Sequence, residues 1–279
     1  MTPPLKDDPN DRFGPQPRLA RSGPTLFGVD DVVAAMAAQH AELSGLLERL
    51  ADLDWHAPTR CDGWDVADVV LHLVQTNELA IGSATGSFAA AIAALTSGVG
   101  PASSVDEGAA RMVDRERGLP PADLLVRWSS GTARLVDLLD GMDLSTRVPW
   151  VVGELSARTL AATRLAETWI HTGDVADAVG VALTPTDRLR PIARLAWRTL
   201  PYAFESAGRT MAGPVAFRLL SPGGEAWDFV SEEPAVTTIT GRAAELCAVA
   251  ARRVDPSATS LRGDGPDADE VLSLVRTYA

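Results

Sequence analysis

The sequence predicts an α+β fold: a four-helix bundle over residues 25–183, then a small α/β domain over residues 184–279, with residues 1–24 as a leading arm. Three observations carry this. Apolar residues recur at helical spacing through the first 180 residues, and no convincing strand interrupts them. After Gly180 the composition changes, and short β-like runs replace the long helical ones. With 279 residues, 46% of them hydrophobic, the chain can bury a sizeable core.

Taken in order, MTPPLKDDPNDRFGPQPRLARSGP has no apolar stretch of the signal-peptide kind. Its prolines, glycines and charges mark a disordered arm ending near Pro24. Over residues 29–53, Val29, Val32, Met36, Leu43, Leu46, Leu47 and Leu50 trace one face of an amphipathic helix. The turn-rich loop DWHAPTRCDGW follows. Asp65, with Asp68 three residues on, resembles a capping arrangement that opens a second helix through VADVVLHLVQTNELAI. The first half of ATGSFAAAIAALTSGVGPASS reads as helix. Residues 104–117 and 121–141 read as a third helical element, broken at Gly118-Leu119-Pro120-Pro121. VPWVVGELS reads as a loop into a long helix from about residue 154 to 180, closed by Gly180. Four such helices pack most simply as an antiparallel bundle.

The second part opens with TPTD at 184–187, which begins a helix through RLRPIARLAWRTL. PVAFRLL, EAWDFV and AVTTIT read as strands, and Pro222-Gly223-Gly224 between the first two predicts a hairpin. Helices over 242–253 and 267–278 complete the chain.

The net charge of −12 argues against nucleic acid or an acidic membrane surface as partner, and no basic run exceeds Arg252-Arg253. No run of 18 apolar residues predicts a membrane span. Cys61 and Cys247 form neither a CxxC pair nor a disulfide framework, which fits a reducing cytoplasm.

The candidate site starts from ETWIHTGD, residues 167–174. Glu167 stands one helical turn before His171, a spacing that also serves ordinary helix-surface pairs. Arg164, Glu167, His171 and Asp174 share one stripe of a helix that is otherwise mostly apolar, so the stripe suits an internal cavity. His72 lies beside the apolar stripe of the second helix, where a hydrogen-bonded core residue is the plainer reading. Together His72, Glu167 and His171 form a two-histidine, one-carboxylate set suited to a divalent ion such as zinc with an open position. Asp68, Arg164 and Asp174 would then orient the ligands through hydrogen bonds, or else form plain salt bridges. His40 reads as core, His56 as a loop residue, and Arg252 and Arg253 as cations at a helix end.

CDGWDVADVVLHLV, with Gly63-Trp64 ahead of His72, and TRLAETWIHTGDVADAVG resemble the two signatures of the DinB-like, mycothiol-dependent maleylpyruvate isomerase family. VPWVVGELS and the C-terminal ITGRAAELCAVAARRVDPSATSL resemble it as well. The resemblance covers residues 29 to the end. It implies a DinB-like bundle followed by a small α/β domain. It also implies a divalent metal, usually zinc, on His72, Glu167 and His171, with Arg253 reaching the active site and mycothiol as thiol cosubstrate.

Members of that family isomerise maleylpyruvate, conjugate mycothiol to electrophiles, or exchange thiols in antibiotic pathways such as lincosamide assembly. The expectation for this chain is thiol transfer to a small electrophilic metabolite, with the isomerase as alternative. A metal-bound thiol loses its proton and becomes the nucleophile. A metal-binding protein without catalysis is a third reading, separated from the enzymes by whether Arg253→Ala costs turnover.

Overall fold

The computed structural model describes residues 31–277 apart from 99, 101 and 152. The expected arm, Val29 and Tyr278 lie outside the described residues. Among those described, ten α-helices and two small sheets form a mixed α+β fold.

Helix α1 spans Val32–Leu47, α2 Val66–Ala84, α5 Pro121–Asp140 and α6 Ala157–Ala178, with the shorter α3 (Phe88–Leu95) and α4 (Val105–Glu116) between them. Helix α2 packs on α5 and α6, and α1 on α6 and α5, so the four long helices surround a shared interior. Asp65 and Asp68 form the expected capping box: the Asp65 side chain accepts from the Asp68 N–H at 2.9 Å, and the Asp68 carboxylate from the Asp65 N–H at 3.3 Å. This satisfies two of the N–H groups that a helix start leaves without intrahelical partners. The broken third element is two separate helices, α4 and α5, and α5 begins on Pro121.

VPWVVGELS is not a loop. Strands β1 (Arg147–Trp150) and β2 (Gly153–Ser156) pair antiparallel there, and Ser156 then caps α6. Pro149 lacks an N–H to donate, but a two-stranded ribbon offers edges that tolerate it.

Beyond α6, TPTD does not begin the helix: α7 (Leu189–Arg198) starts two residues after it, with Arg188 at its N-cap, and hands over at once to α8 (Leu200–Ser206), with Pro201 in its first turn. The second sheet runs β4-β3-β5-β6, from β3 (Val215–Leu220), β4 (Ala226–Phe229), β5 (Thr237–Arg242) and β6 (Arg262–Asp264). The β3–β4 hairpin is antiparallel as expected, β5 joins β3 in parallel, and β6 adds a short edge that the sequence reading lacked. Helices α9 (Ala243–Ala250) and α10 (Ala268–Leu274) complete it.

One apolar cluster runs from α1 and α6 through α7 and α8 into the sheet and α9, across the expected boundary near residue 183. A second fills the far end, from Leu43, Leu46 and Leu47 to Val70, Trp128 and Val175. Each fully buried Leu or Val in these clusters contributes about 1.5–3 kcal/mol. His72 stands between Leu71 and Leu73 of α2, both buried, so the second cluster fixes where its imidazole points. No helix among the described residues is long and apolar enough to cross a membrane.

Candidate metal centre

Two helices and one loop build the site. Helix α6 presents Glu167, His171 and Asp174 at spacings of four and three residues on its inner face. Helix α2, packed against it, presents His72. The Glu167 Oε2 lies 3.4 Å from His72 Nε2 and 3.7 Å from His171 Nε2. The two imidazoles meet edge to face with ring centroids 5.1 Å apart. One donor atom from each of the three residues lies within 4.8 Å of the other two.

These separations can be tested against a metal. Donors held at 2.0–2.1 Å on a tetrahedral zinc stand about 3.3 Å apart. The carboxylate–imidazole distances are within a few tenths of that, and the two imidazole donors stand within 4.8 Å of each other. The residues fit a divalent ion. The buried His72 Nδ1 has no hydrogen-bond partner among the described residues, so nothing there competes for the orientation of its Nε2 towards Glu167.

Electrostatics agree. Burial alone would raise the Glu167 carboxyl, but the hydrogen bond with His72 and the charges of His171, His72 and Arg164 take it down to about 2. Burial pushes His72 below its ordinary 6.5, so it is neutral at pH 7. Burial also works against charge on His171, yet its hydrogen bonds to Asp174 and Cys61 and the charges of Glu167 and Asp174 lift it to about 9. The centre without metal thus holds a proton on His171 where an ion would sit.

Asp174 is the anchor behind the triad. Its side chain is 1% exposed and lies 2.9 Å from His171 Nδ1. It also accepts from Arg253 Nε and Nη2, both at 2.7 Å. Burial opposes its charge, but these bonds hold the carboxyl well below the usual range. With Asp174 accepting from Nδ1–H, the free His171 nitrogen is Nε2, the one facing Glu167.

Arg253 arrives from the C-terminal part of the chain by a strained turn. At the end of α9, the Arg252 N–H bonds to Val249 O and the Arg253 N–H to Ala248 O, the double bond of a Schellman ending. Glycine usually takes the left-handed position in that turn. Here Arg252 holds it with φ 58°, the one non-glycine positive φ among the described residues. The chain leaves the helix so that Arg253 reaches Asp174 while a quarter of its side chain stays exposed.

The other expected residues divide. Arg164 is 1% exposed, donates from Nε to Asn77 Oδ1 at 3.1 Å, and its charge favours ionised Glu167. Asp68 does not reach the triad: its carboxylate is occupied by the α2 cap and by Arg117 at 3.3 Å. The sequence gives a capping aspartate and a ligand-orienting one the same spacing, and the cap wins here. His40 packs in the core against the Trp128 edge, and burial takes it down to about 3. His56 is exposed beside Asp65.

The sequence reading missed Cys61. Its Sγ lies 3.4 Å from Asp174 Oδ2 and 3.9 Å from His171 Nδ1 and Arg253 Nη2. A turn from Cys61 to Trp64, closed by the Trp64 N–H to Cys61 O bond with Gly63 at φ +75°, brings the thiol to Asp174 and Trp64 alongside His72. The CDGW signature marks that turn through Gly63 and Trp64, while Cys61 entered the sequence reading only as an unpaired cysteine. Cys61, His171 and Asp174 also have ligand-like proximity. The guanidinium already paired with both Asp174 oxygens makes that second set a hydrogen-bonded network, because a cation there would face Arg253 directly.

The fold and this cluster define a class: mixed α+β proteins whose facing helices pool two imidazoles and a carboxylate at metal-ligand spacing. The sequence model described as the mycothiol maleylpyruvate isomerase N-terminal domain matches residues 36–176. The chain belongs to that family. It is similar to two uncharacterised proteins of Mycobacterium tuberculosis, from strains CDC 1551 and H37Rv. Each is 32% identical over 248 residues, which covers 88% of this chain and 95% of the relative. Crystal structures of a mycothiol-dependent maleylpyruvate isomerase and of a mutant of it share the fold. Their TM-scores are 0.54 and 0.55 at 16% identity, covering 87% of this chain and 96% of theirs.

Proposed function

We propose that this protein is a metal-dependent enzyme that uses mycothiol to conjugate, or exchange thiols on, a small electrophilic metabolite, natural-product intermediates included. The convergence of His72, Glu167 and His171 in a member of a family named for mycothiol chemistry carries this reading. When bound to these three residues, a divalent ion, zinc first among the candidates, would supply an open position that holds a thiol as its thiolate.

The chain does the rest. Glu167 brings one negative charge against two neutral imidazoles, which leaves the centre cationic. Asp174 fixes the His171 tautomer, and Arg253 fixes Asp174. Arg253, still partly exposed, presents a cation to negative charge that develops on the electrophile as the sulfur–carbon bond forms. In a conjugation the leaving group departs with its electron pair and the thiol proton passes to solvent.

A second reading, maleylpyruvate isomerisation, is favoured by the name of the two solved relatives. One assay separates the two. The metal-loaded protein is incubated with mycothiol and an aryl halide, a thiol-exchange substrate or maleylpyruvate, and free thiol and products are followed. Thiol-dependent adduct or exchange products support the proposal. Isomerised maleylpyruvate with no thiol consumed favours the second reading, and no turnover of any substrate removes both.

A further inference from the structure

We propose that the groove between α6 and α7 is a second binding site, for a small soluble polyanion carrying phosphate groups. The groove has a volume of about 320 Å³ and takes Arg158 from α6 and Arg190, Arg194 and Arg198 from α7. That volume is in the range of small-molecule pockets.

Helical spacing makes the row. Residues four apart lie on one face and rise about 6 Å per step, so Arg190, Arg194 and Arg198 line about 12 Å of one wall. Arg158 lines the groove from α6. None of the described residues lining it is acidic, and among the described residues no carboxylate pairs with Arg190, Arg194 or Arg198. The nearest carboxylate in sequence to a lining residue, Asp31, is turned to the Ala34 N–H as the cap of α1.

Like charges at this spacing oppose one another and weaken the helix that carries them. Arg190, Arg194 and Arg198, with no carboxylate partner among the described residues, give this groove a surplus of positive charge that an anionic ligand would balance. Guanidinium forks match phosphate oxygens two at a time, which favours phosphate over a single carboxylate. The net charge of −12 opposes an extended polyanion such as a nucleic acid or an acidic membrane over the rest of the surface, whereas a ligand small enough to enter the groove meets chiefly its arginines.

This site is not the metal centre. Arg158 precedes His171 by 13 residues on the same helix, which places the two about 20 Å apart. The polyanion therefore does not touch the reacting thiol.

Calorimetric titration of the full-length, metal-loaded protein with inorganic tripolyphosphate at low salt tests this. Saturable binding near one per chain is expected, weakened about tenfold for each guanidinium removed in the double variant Arg194→Ala/Arg198→Ala. Both side chains are exposed and alanine favours helix, so the variant keeps its fold, checked by its melting curve and metal content. Arg218→Ala, an exposed arginine on β3, should bind as the parent does. Three results overturn the proposal: no saturable binding, equal loss in Arg218→Ala, or undiminished binding in the double variant. Tighter binding of citrate overturns the phosphate assignment, and tighter binding of a short oligonucleotide overturns the small-ligand assignment.

Discussion

Replacing Asp174 with asparagine probes the support behind the metal centre with almost no change of shape. The carboxylate is 1% exposed, lies 2.9 Å from His171 Nδ1 and accepts two 2.7 Å bonds from Arg253. Asparagine keeps one acceptor oxygen and sets an NH2 group against a donor, so at least one charge-assisted bond becomes a clash of donors. Breaking a buried charge pair from one side costs about 3–5 kcal/mol. Arg253, a quarter exposed, recovers part of this from water, so the lower end applies: about 3 kcal/mol. For a chain of this size that lowers the melting temperature of the metal-free protein by about 6–12 °C. Loss of a partner that orients a metal-bound histidine lowers metal affinity about 10- to 100-fold, or about 1.4–2.8 kcal/mol. Thermal melts with chelator and competition against a chromophoric zinc ligand measure the two. An unchanged melting temperature together with an unchanged affinity would show that Asp174 supports nothing, and the reasoning would fail.

Metal uptake should gain about tenfold in affinity per pH unit up to about pH 9, because the ion displaces the proton that the folded protein holds on His171. The sign reverses for metal-free stability. The raised His171 pKa contributes fully below 6.5, and that contribution is lost as pH rises to about 9, so chelated protein should melt lower at pH 9 than at pH 6.5. Arg253→Ala should keep its metal and lose about 10²–10³ in kcat, with partial recovery in Arg253→Lys; steady-state kinetics beside metal analysis checks it. Arg252→Gly removes the left-handed strain at the end of α9 and should stabilise the fold by about 0.5–1 kcal/mol in denaturant melts, offset in part by the lost bond from Arg252 Nη1 to Ser273 O.

Much of this protein was legible in its sequence, for physical reasons that differ from element to element. The long helices announce themselves because a stripe at helical spacing, apolar on α1 and polar on the otherwise apolar α6, persists over 16 and 22 residues. The cap at Asp65–Asp68 is a local pattern and reads locally. Strands β1, β2 and β6 are three or four residues long, too short for an alternating pattern to emerge, and Pro149 argued against the first. The His72–Glu167–His171 cluster combined a one-turn spacing, visible on α6, with a long-range partner whose chemistry completes a two-histidine, one-carboxylate set and which the family resemblance then implied as a ligand. Cys61 stayed hidden because its contacts span 110 residues or more. The arginine groove forms no basic run in the sequence, since three of its members are spaced by helical turns and the fourth comes from another helix.

The most direct test of the central claim is the metal content of protein purified without a histidine tag, wild type beside Glu167→Ala and His171→Ala. The account predicts about one divalent ion per chain in the wild type, zinc first among them, and none in either variant, with all three still folded. A wild type that carries no metal and takes none up, or variants that keep a full complement, would contradict it and reduce ETWIHTGD to a polar face of a buried helix.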